Sequence, residues 1–289
     1  MKNQRYSIKN LKTDFPNDEV CLEYLFDTLH SRKCSCGGKY SRLRGKEDRK
    51  KFQCSKCRFQ IAPMKHTIFE KSTTPLTLWF HAIFIFSNAK SGISAKEMER
   101  QLGVTYKTAW RILKLIREAL AQDDDKLGGD VEMDEGYLGG KGDGGKYNKN
   151  YKKVMKNKSK VIAAVQRGGN MKAKHVTDLC AMNIWQFLDD YIKNENTRLI
   201  TDKSNRYDIA AGGYNRESVN HSKKEYVRGD IHTNNVEWFW GHVKKSIKGT
   251  YKVVSKKYLQ TYLDAFVFHY NNRYSDRARF ETLLSAVVQ

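Results

Sequence analysis

GDIHTNNVEWFWGHVKKSIKG, Gly229–Gly249, reads as a loop running into an amphipathic helix. His232-Thr233-Asn234 offers a capping hydroxyl or amide, and Glu237 follows Asn234 by three residues, a capping-type spacing. Val236, Phe239, Trp240, Val243 and Ile247 recur at helical intervals and would face a core. Asn234 and Glu237 stand at i and i+3, so their side chains project near one another. Lys244 lies two turns beyond Glu237 on the same side. A carboxylate, an amide and a lysine on one helix face describe either a site or an ordinary capped surface helix. The rest of the chain decides between them.

Upstream, Asp123–Gly129 reads as a linker and DVEMDEGYLGG, Asp130–Gly140, as a strand with Asp134 toward its end. Residues 139–160 carry eight lysines, one Asp and five glycines, a basic loop unable to bury a core. Val161–Val165 is a buried-type strand, Gly168-Gly169-Asn170 a turn, and Ala173–Leu179 a further strand. Met182–Asn194 looks helical, with Ile184, Phe187, Leu188 and Tyr191 on one face, and Arg198–Asp202 is a strand ending in an acid. Tyr258–Arg273 is a helix whose basic HYNNR end either reaches a phosphate or is simply solvated. Three strands, a helix, a strand and then helices is the order of an RNase H-like α/β domain.

Three acids, Asp134, Asp202 and Glu237, therefore stand at element ends. A lone Asp there is usually a cap or turn residue, but three in this order point to a constellation. Two carboxylates about 4 Å apart at an effective dielectric near 20 repel by roughly 4 kcal/mol. Such a cluster persists with protons or divalent cations between the groups, and oxygen donors of this kind prefer Mg²⁺ or Mn²⁺.

Nearer the N-terminus, Cys34-Ser-Cys36 and Cys54-Ser-Lys-Cys57 form two close-spaced pairs, with 17 residues between Cys36 and Cys54. Four soft ligands from two short loops read as a zinc ribbon. The first pair is C-x-C rather than C-x-x-C, which leaves room for His66 or another group to replace one cysteine. The intervening Lys39, Arg42, Arg44, Lys46, Arg49, Lys50 and Lys51 suit phosphate contact or a solvated basic face. Pro75 opens a helix over Leu76–Ser87. Then ISAKEMERQLGVTYKTAWRIL, Ile93–Leu113, has helix-turn-helix spacing. Its second helix, capped by Thr105, turns Thr105, Tyr106, Lys107 and Arg111 toward a groove and Ala109, Ile112, Leu113 and Ile116 inward.

A formal net charge of +21, from 53 Lys+Arg against 32 Asp+Glu, favours a polyanionic partner, most often nucleic acid. The longest apolar run, Trp79–Phe86, is interrupted by His81 and too short to span a bilayer. The N-terminus lacks the apolar core of a signal peptide. The expectation is an intracellular protein whose cysteines are thiols or metal ligands rather than disulfides.

VEMDEGYLGGK, ITD, HTNNVEWFWGHVKK, GTY and YLDAFVFHYNNR resemble the signatures of bacterial insertion-sequence DDE transposases, specifically the ISXO-like group with an N-terminal zinc ribbon. PLTLWFHAI and KSGISAKEMERQLGVTYKTAWRIL resemble the helix-turn-helix that precedes catalysis in that group. The resemblance spans roughly residues 30–275, with Asp264 where a Glu is more usual. It implies a zinc ribbon over 31–70, a helix-turn-helix domain over 75–122 and an RNase H-like catalytic domain over 128–289, after an N-terminal segment of 1–30. It implies DNA strand cleavage and transfer with Mg²⁺ or Mn²⁺ on Asp134, Asp202 and Glu237, and zinc on Cys34, Cys36, Cys54 and Cys57. The third acid position lies in HTNxxE, where such transposases count Asn or Glu; Glu237 is favoured by its seven-residue spacing to Lys244, with Asn234 adjacent. Lys244 and Lys245 would contact phosphate. The implied partners are the element's terminal repeats and target DNA, with a dimer or higher assembly at synapsis and no membrane. The implied place is the cytoplasm of a prokaryotic host, at the nucleoid. The alternative function is a catalytically silent DNA-binding regulator derived from a transposase.

Overall fold

A computed structural model describes residues 5–44, 50–139 and 157–288. Most of the lysine-rich loop read from the sequence, and Lys46 and Arg49 of the ribbon, lie outside the described residues. The chain forms two compact units, Met1–Leu120 with Asn272–Gln289, and Ala121–Asn271.

The first unit is built on aromatic packing. Helices α1 (Ile8–Asp14), α2 (Asp18–Leu29) and α3 (Leu76–Asn88) are joined through a three-stranded antiparallel sheet of β1 (Tyr40–Arg42), β2 (Phe52–Cys54) and β3 (Gln60–Ile61). Phe26 of α2 stacks on Phe52 of β2 at 4.0 Å between ring centroids, which fixes the small sheet to the helices. Asp18 accepts from the backbone N–H of Leu76 at 3.0 Å and of Thr77 at 2.8 Å, satisfying two orphan donors at the start of α3. Helices α4 (Ala95–Leu102) and α5 (Tyr106–Glu118) follow, joined through a left-handed Gly103.

The last helix of the chain, α10 (Asp276–Val288), completes this unit. Phe280 stacks on Tyr6 at 4.8 Å. The fully buried Arg279 donates to the carbonyls of Ser87 and Asn272 and to Asp276. The expected boundary of 128–289 is corrected accordingly: residues beyond Asn271 pack with the N-terminal helices, because Phe280, Leu283, Leu284, Val287 and Val288 are buried there.

The second unit is one five-stranded sheet in the order β6-β5-β4-β7-β8. Its strands are β4 (Leu127–Leu138), β5 (Ser159–Gln166), β6 (Met171–Val176), β7 (Ile192–Asp202) and β8 (Asn215–Val219). The first three run antiparallel, while β7 and β8 run parallel to β4. Alternation sorts the side chains. Val161, Ala163 and Val165 of β5 pack on α8 (Asn234–Ser246) and α9 (Leu259–Asn271). Ile162 and Ala164, with Val131 and Met133 of β4, pack on α6 (Ala181–Tyr191) and α7 (Asn205–Ala210). Period two therefore turns Glu132, Asp134 and Gly136 toward α8.

The outer edge of β6 is covered by side-chain amides. Asn271 bonds both backbone groups of Met171, Gln122 both of Ala173, and Gln260 accepts from His175 N–H. Such cover removes an edge that could otherwise pair with another strand. Asn271 of the HYNNR segment serves this role.

Candidate active site

Asp134 and Asp202 are neighbours by strand register. Glu132 pairs with Ile200 and Met133 with Thr201 across the parallel β4/β7 ladder, so the next step along both strands sets the two aspartates side by side, Asp202 as the last residue of β7 and Asp134 within β4, which runs on to Leu138. Adjacent strands lie about 4.8 Å apart. Asp134 accepts a hydrogen bond from the Trp240 indole N–H of α8 at 3.1 Å. Burial, then the charges of Asp202 and Glu135, pushes the Asp134 carboxyl up to about 7. Glu135 points to the opposite face, where the Tyr207 hydroxyl donates to it at 2.9 Å.

Gly136 is what admits the indole. A Cβ at that position would stand 2.9 Å from a Trp240 ring carbon. Gly136→Val is expected to cost about 1–3 kcal/mol through overpacking, read from urea unfolding with Trp fluorescence as probe. Stability equal to the parent would mean that the indole moves aside freely and does not hold Asp134.

Asp202 is raised by burial and by the charge of Glu237, against the opposing effect of His221. His221, which follows β8, places Nδ1 3.1 Å from Asp202 Oδ2 and Nε2 3.8 Å from Glu237 Oε1. Glu237 also accepts from the Thr233 hydroxyl at 2.9 Å. Asp202 Oδ1 and His221 Nε2 are buried without a hydrogen-bond partner among the described residues. Asp202 Oδ1 is a hard oxygen donor of the kind a divalent cation takes, while among the described residues Asp134, Asp202 and Glu237 are not drawn into a cluster as tight as the four cysteines of the first unit.

Asn234, Lys244 and Lys245 are exposed on α8. The backbone N–H of Asn234 meets His232 Nδ1 at 3.4 Å. Helical spacing keeps Lys244 on the Glu237 side.

The start of α8 is held differently from the sequence expectation. Thr233, the N-cap residue, makes no side-chain capping bond, and its hydroxyl donates to Glu237. Glu132 of β4, fully buried, accepts instead from the backbone N–H of Asn235 at 2.8 Å and of Val236 at 3.4 Å, and from the Asn235 amide at 2.7 Å. Arg167 donates to the same carboxylate at 2.8 Å and to the His232 carbonyl at 3.1 Å. This acid ties the helix bearing Glu237 to the strand bearing Asp134. Sequence reasoning missed both Glu132 and His221. The cue for Glu132 was its parity, two residues before Asp134 and hence on the same sheet face; no local pattern marked His221.

In the first unit, Cys34, Cys36, Cys54 and Cys57 have all four sulfurs within 4.8 Å of one another. Among the described residues no other set of three or more His, Cys, Asp or Glu donors is so tight. The Cys34–Cys57 and Cys36–Cys54 sulfur distances are 3.7 and 3.5 Å. Tetrahedral zinc with bonds of about 2.3 Å needs sulfurs about 3.8 Å apart. The C-x-C pair thus supplies both its sulfurs, and His66 is not part of the set. Gly38 makes room, since a Cβ there would lie 2.5 Å from Cys54 Sγ. The Tyr40 hydroxyl leads the groups that lower the Cys34 thiol to about 6, favouring the thiolate that a metal takes. The cluster could hold a zinc ion. Stripping that ion with a chelator is expected to unfold the 31–70 segment, read by near-UV circular dichroism. An unchanged signal after verified removal would contradict a structural metal. Arg42 and Arg44 beside the cluster pair with Glu19, at 3.0 and 2.9 Å, so this basic face is partly neutralised.

On α5, Thr105, Tyr106, Lys107 and Arg111 are exposed, while Ala109, Ile112, Leu113 and Ile116 are buried as their spacing predicts. Thr105 also caps the helix, accepting from Thr108 N–H at 3.3 Å.

Residues 126–271 match the family described as the ISXO2-like transposase domain. The chain belongs to the ISXO2-like transposase family. A similar protein, described as an uncharacterized protein in the transposable element ISH50 of Halobacterium salinarum, is 28% identical over 232 residues, 75% of this chain and 76% of that protein. The span that marks this transposase family nearly coincides with the second unit, Ala121–Asn271, and contains Asp134, Asp202 and Glu237. Among the described residues no helix is long and apolar enough to cross a membrane.

Proposed function

We propose that the chain is a DDE transposase that binds the ends of an insertion sequence, cleaves DNA there and joins the ends to target DNA. The observation that carries this reading is the juxtaposition of Asp134 and Asp202 on the adjacent parallel strands β4 and β7, with Glu237 brought near Asp202 by α8. The β6-β5-β4-β7-β8 order, with helices on both faces, supports an RNase H-like fold for this unit.

Asp134, Asp202 and Glu237 would hold Mg²⁺ or Mn²⁺, with Asn234 adjacent. Bound divalent ions supply Lewis-acid activation of a water or 3′-hydroxyl and stabilisation of the leaving oxygen. The chain's own residues set the stage. The Trp240 indole steadies one oxygen of Asp134. His221 steadies Asp202 from the side of Glu237. Lys244 projects beside Glu237 to meet a phosphate near the reacting end. In the first unit, the ribbon and the pair α4 and α5, acting as a helix-turn-helix, grip the terminal repeats through Thr105, Tyr106, Lys107 and Arg111. Two ends must meet for joining, which calls for a dimer or higher assembly at the nucleoid.

Incubating the protein in Mg²⁺ or Mn²⁺ with duplexes carrying the gene's own flanking ends is expected to yield metal-dependent nicks at those ends. Tight binding without nicking in either metal would transfer the reading to a DNA-binding regulator.

A further inference from the structure

Helix α8 carries a second exposed stripe beside the one that holds Glu237. Trp238 is 60% exposed, which is costly for the largest apolar side chain. Its indole lies parallel to the His242 ring, with 5.5 Å between centroids and 8° between planes. His242 in turn meets Phe266 of α9 edge-on at 5.8 Å, and Tyr270 flanks the indole at 6.1 Å. One side of Trp238 is thus backed by rings rooted in the core, while much of the indole remains open to solvent.

Gly241 adjoins this ring. It stands at i+3 from Trp238 and i+4 from Glu237, and precedes Lys244 and Lys245 by three and four residues, so these four side chains frame it. A Cβ built on Gly241 meets nothing within 4 Å. The fold therefore does not require glycine here, although glycine in mid-helix is less stable than alanine. A glycine that its own chain leaves uncovered suits the close approach of an outside backbone.

We propose that the open helix surface at Gly241 seats the sugar-phosphate backbone of an unpaired DNA terminus, whose last base stacks on the open face of Trp238. The inference rests on the reading of the neighbouring acids as a DNA-processing site. The charge of the surroundings selects this occupant: Lys244 and Lys245 offer cations for phosphate, and an aromatic face accepts any base without sequence preference. An apolar protein partner would leave those two lysines without counter-charges.

The test is binding by the full chain without added divalent ion, using the gene's own end sequence as a blunt duplex and with a three-nucleotide single-stranded 3′ overhang bearing terminal 2-aminopurine. The expected result is tighter binding of the overhang, with quenching of 2-aminopurine by the stacked indole. Trp238→Ala should weaken overhang binding about 5- to 100-fold, abolish the quenching and leave blunt-duplex affinity unchanged; Trp238→Phe should retain most of the effect. Gly241→Ala should raise the melting temperature and yet weaken overhang binding, a combination that a purely structural glycine does not give. Overhang affinity unchanged in both alanine variants would overturn the proposal, and if metal-dependent nicking then persisted, the acid site would stand without it. Trp238-dependent stacking by a protein that never nicks would instead overturn the acid-site reading alone.

Discussion

Asp202→Asn is expected to lower end cleavage by about a thousandfold or more while DNA binding is retained. The substitution keeps the size of the side chain and removes its charge. Asp202 is the acid that the other two share: it adjoins Asp134 through the β4/β7 register and Glu237 through His221. Its buried Oδ1 has no hydrogen-bond partner among the described residues, so removing its charge breaks no bond seen there. Loss of several kcal/mol of charge stabilisation at a metal-assisted centre corresponds to roughly three or more decades in rate. On this proposal binding would rest on lysines and arginines elsewhere and should keep a steep salt dependence, about −0.9 in log–log slope per neutralised phosphate. The check is nicking and gel-shift titration of the same preparation. A variant that cleaves at a comparable rate would remove Asp202 from the site.

Glu132→Ala is expected to destabilise the second unit by about 3–5 kcal/mol, the range for breaking a buried ion pair from one side. The carboxylate is inaccessible to solvent and is met by Arg167, by two backbone N–H groups at the start of α8 and by the Asn235 amide. Its removal strands the Arg167 charge and the helix donors together. Denaturant unfolding gives the loss directly. A change below about 1 kcal/mol would show that α8 is held by its apolar face alone, through Val236, Phe239 and Val243.

The local patterns in the sequence were sufficient for the parts of the fold with strong periodicity. The stripe of Val236, Phe239, Trp240 and Val243 is buried as its spacing requires, and so is that of α5. Strand β5 is legible for a different reason, as a short continuous apolar run buried on both faces. Strand β8 was missed because NRESV is an edge strand with only Val219 buried, so no alternation marks it. Helix α10 was missed although Phe280, Leu283, Leu284 and Val287 recur at helical spacing, because the charged DRARFE start reads as surface. The expected linker over Asp123–Gly129 is shorter than that, since β4 already begins at Leu127.

The site divides along the same line. Asp202 ends β7 and Glu237 lies in the first turn of α8, whereas Asp134 lies within β4, because that strand runs on to Leu138 rather than stopping near the acid. Glu132 is a fully buried acid, which composition argues against, and its partners Arg167 and Asn235 are 35 and 103 residues away. His221 lies in a polar segment and gains its place between two acids only through the parallel pairing of β7 with β8. Such roles depend on tertiary neighbours, which no local window contains.

The most direct measurement is joining of pre-cleaved ends. Purified protein with Mg²⁺ or Mn²⁺ would receive duplexes ending in the element's free 3′-hydroxyl and a supercoiled target, beside the Asp134→Asn, Asp202→Asn and Glu237→Gln variants. The account predicts metal-dependent covalent joining by the parent chain and none by the three variants, with DNA binding preserved in all four. Joining that survives in any of these variants, or that proceeds without added divalent ion, would contradict a three-acid metal site.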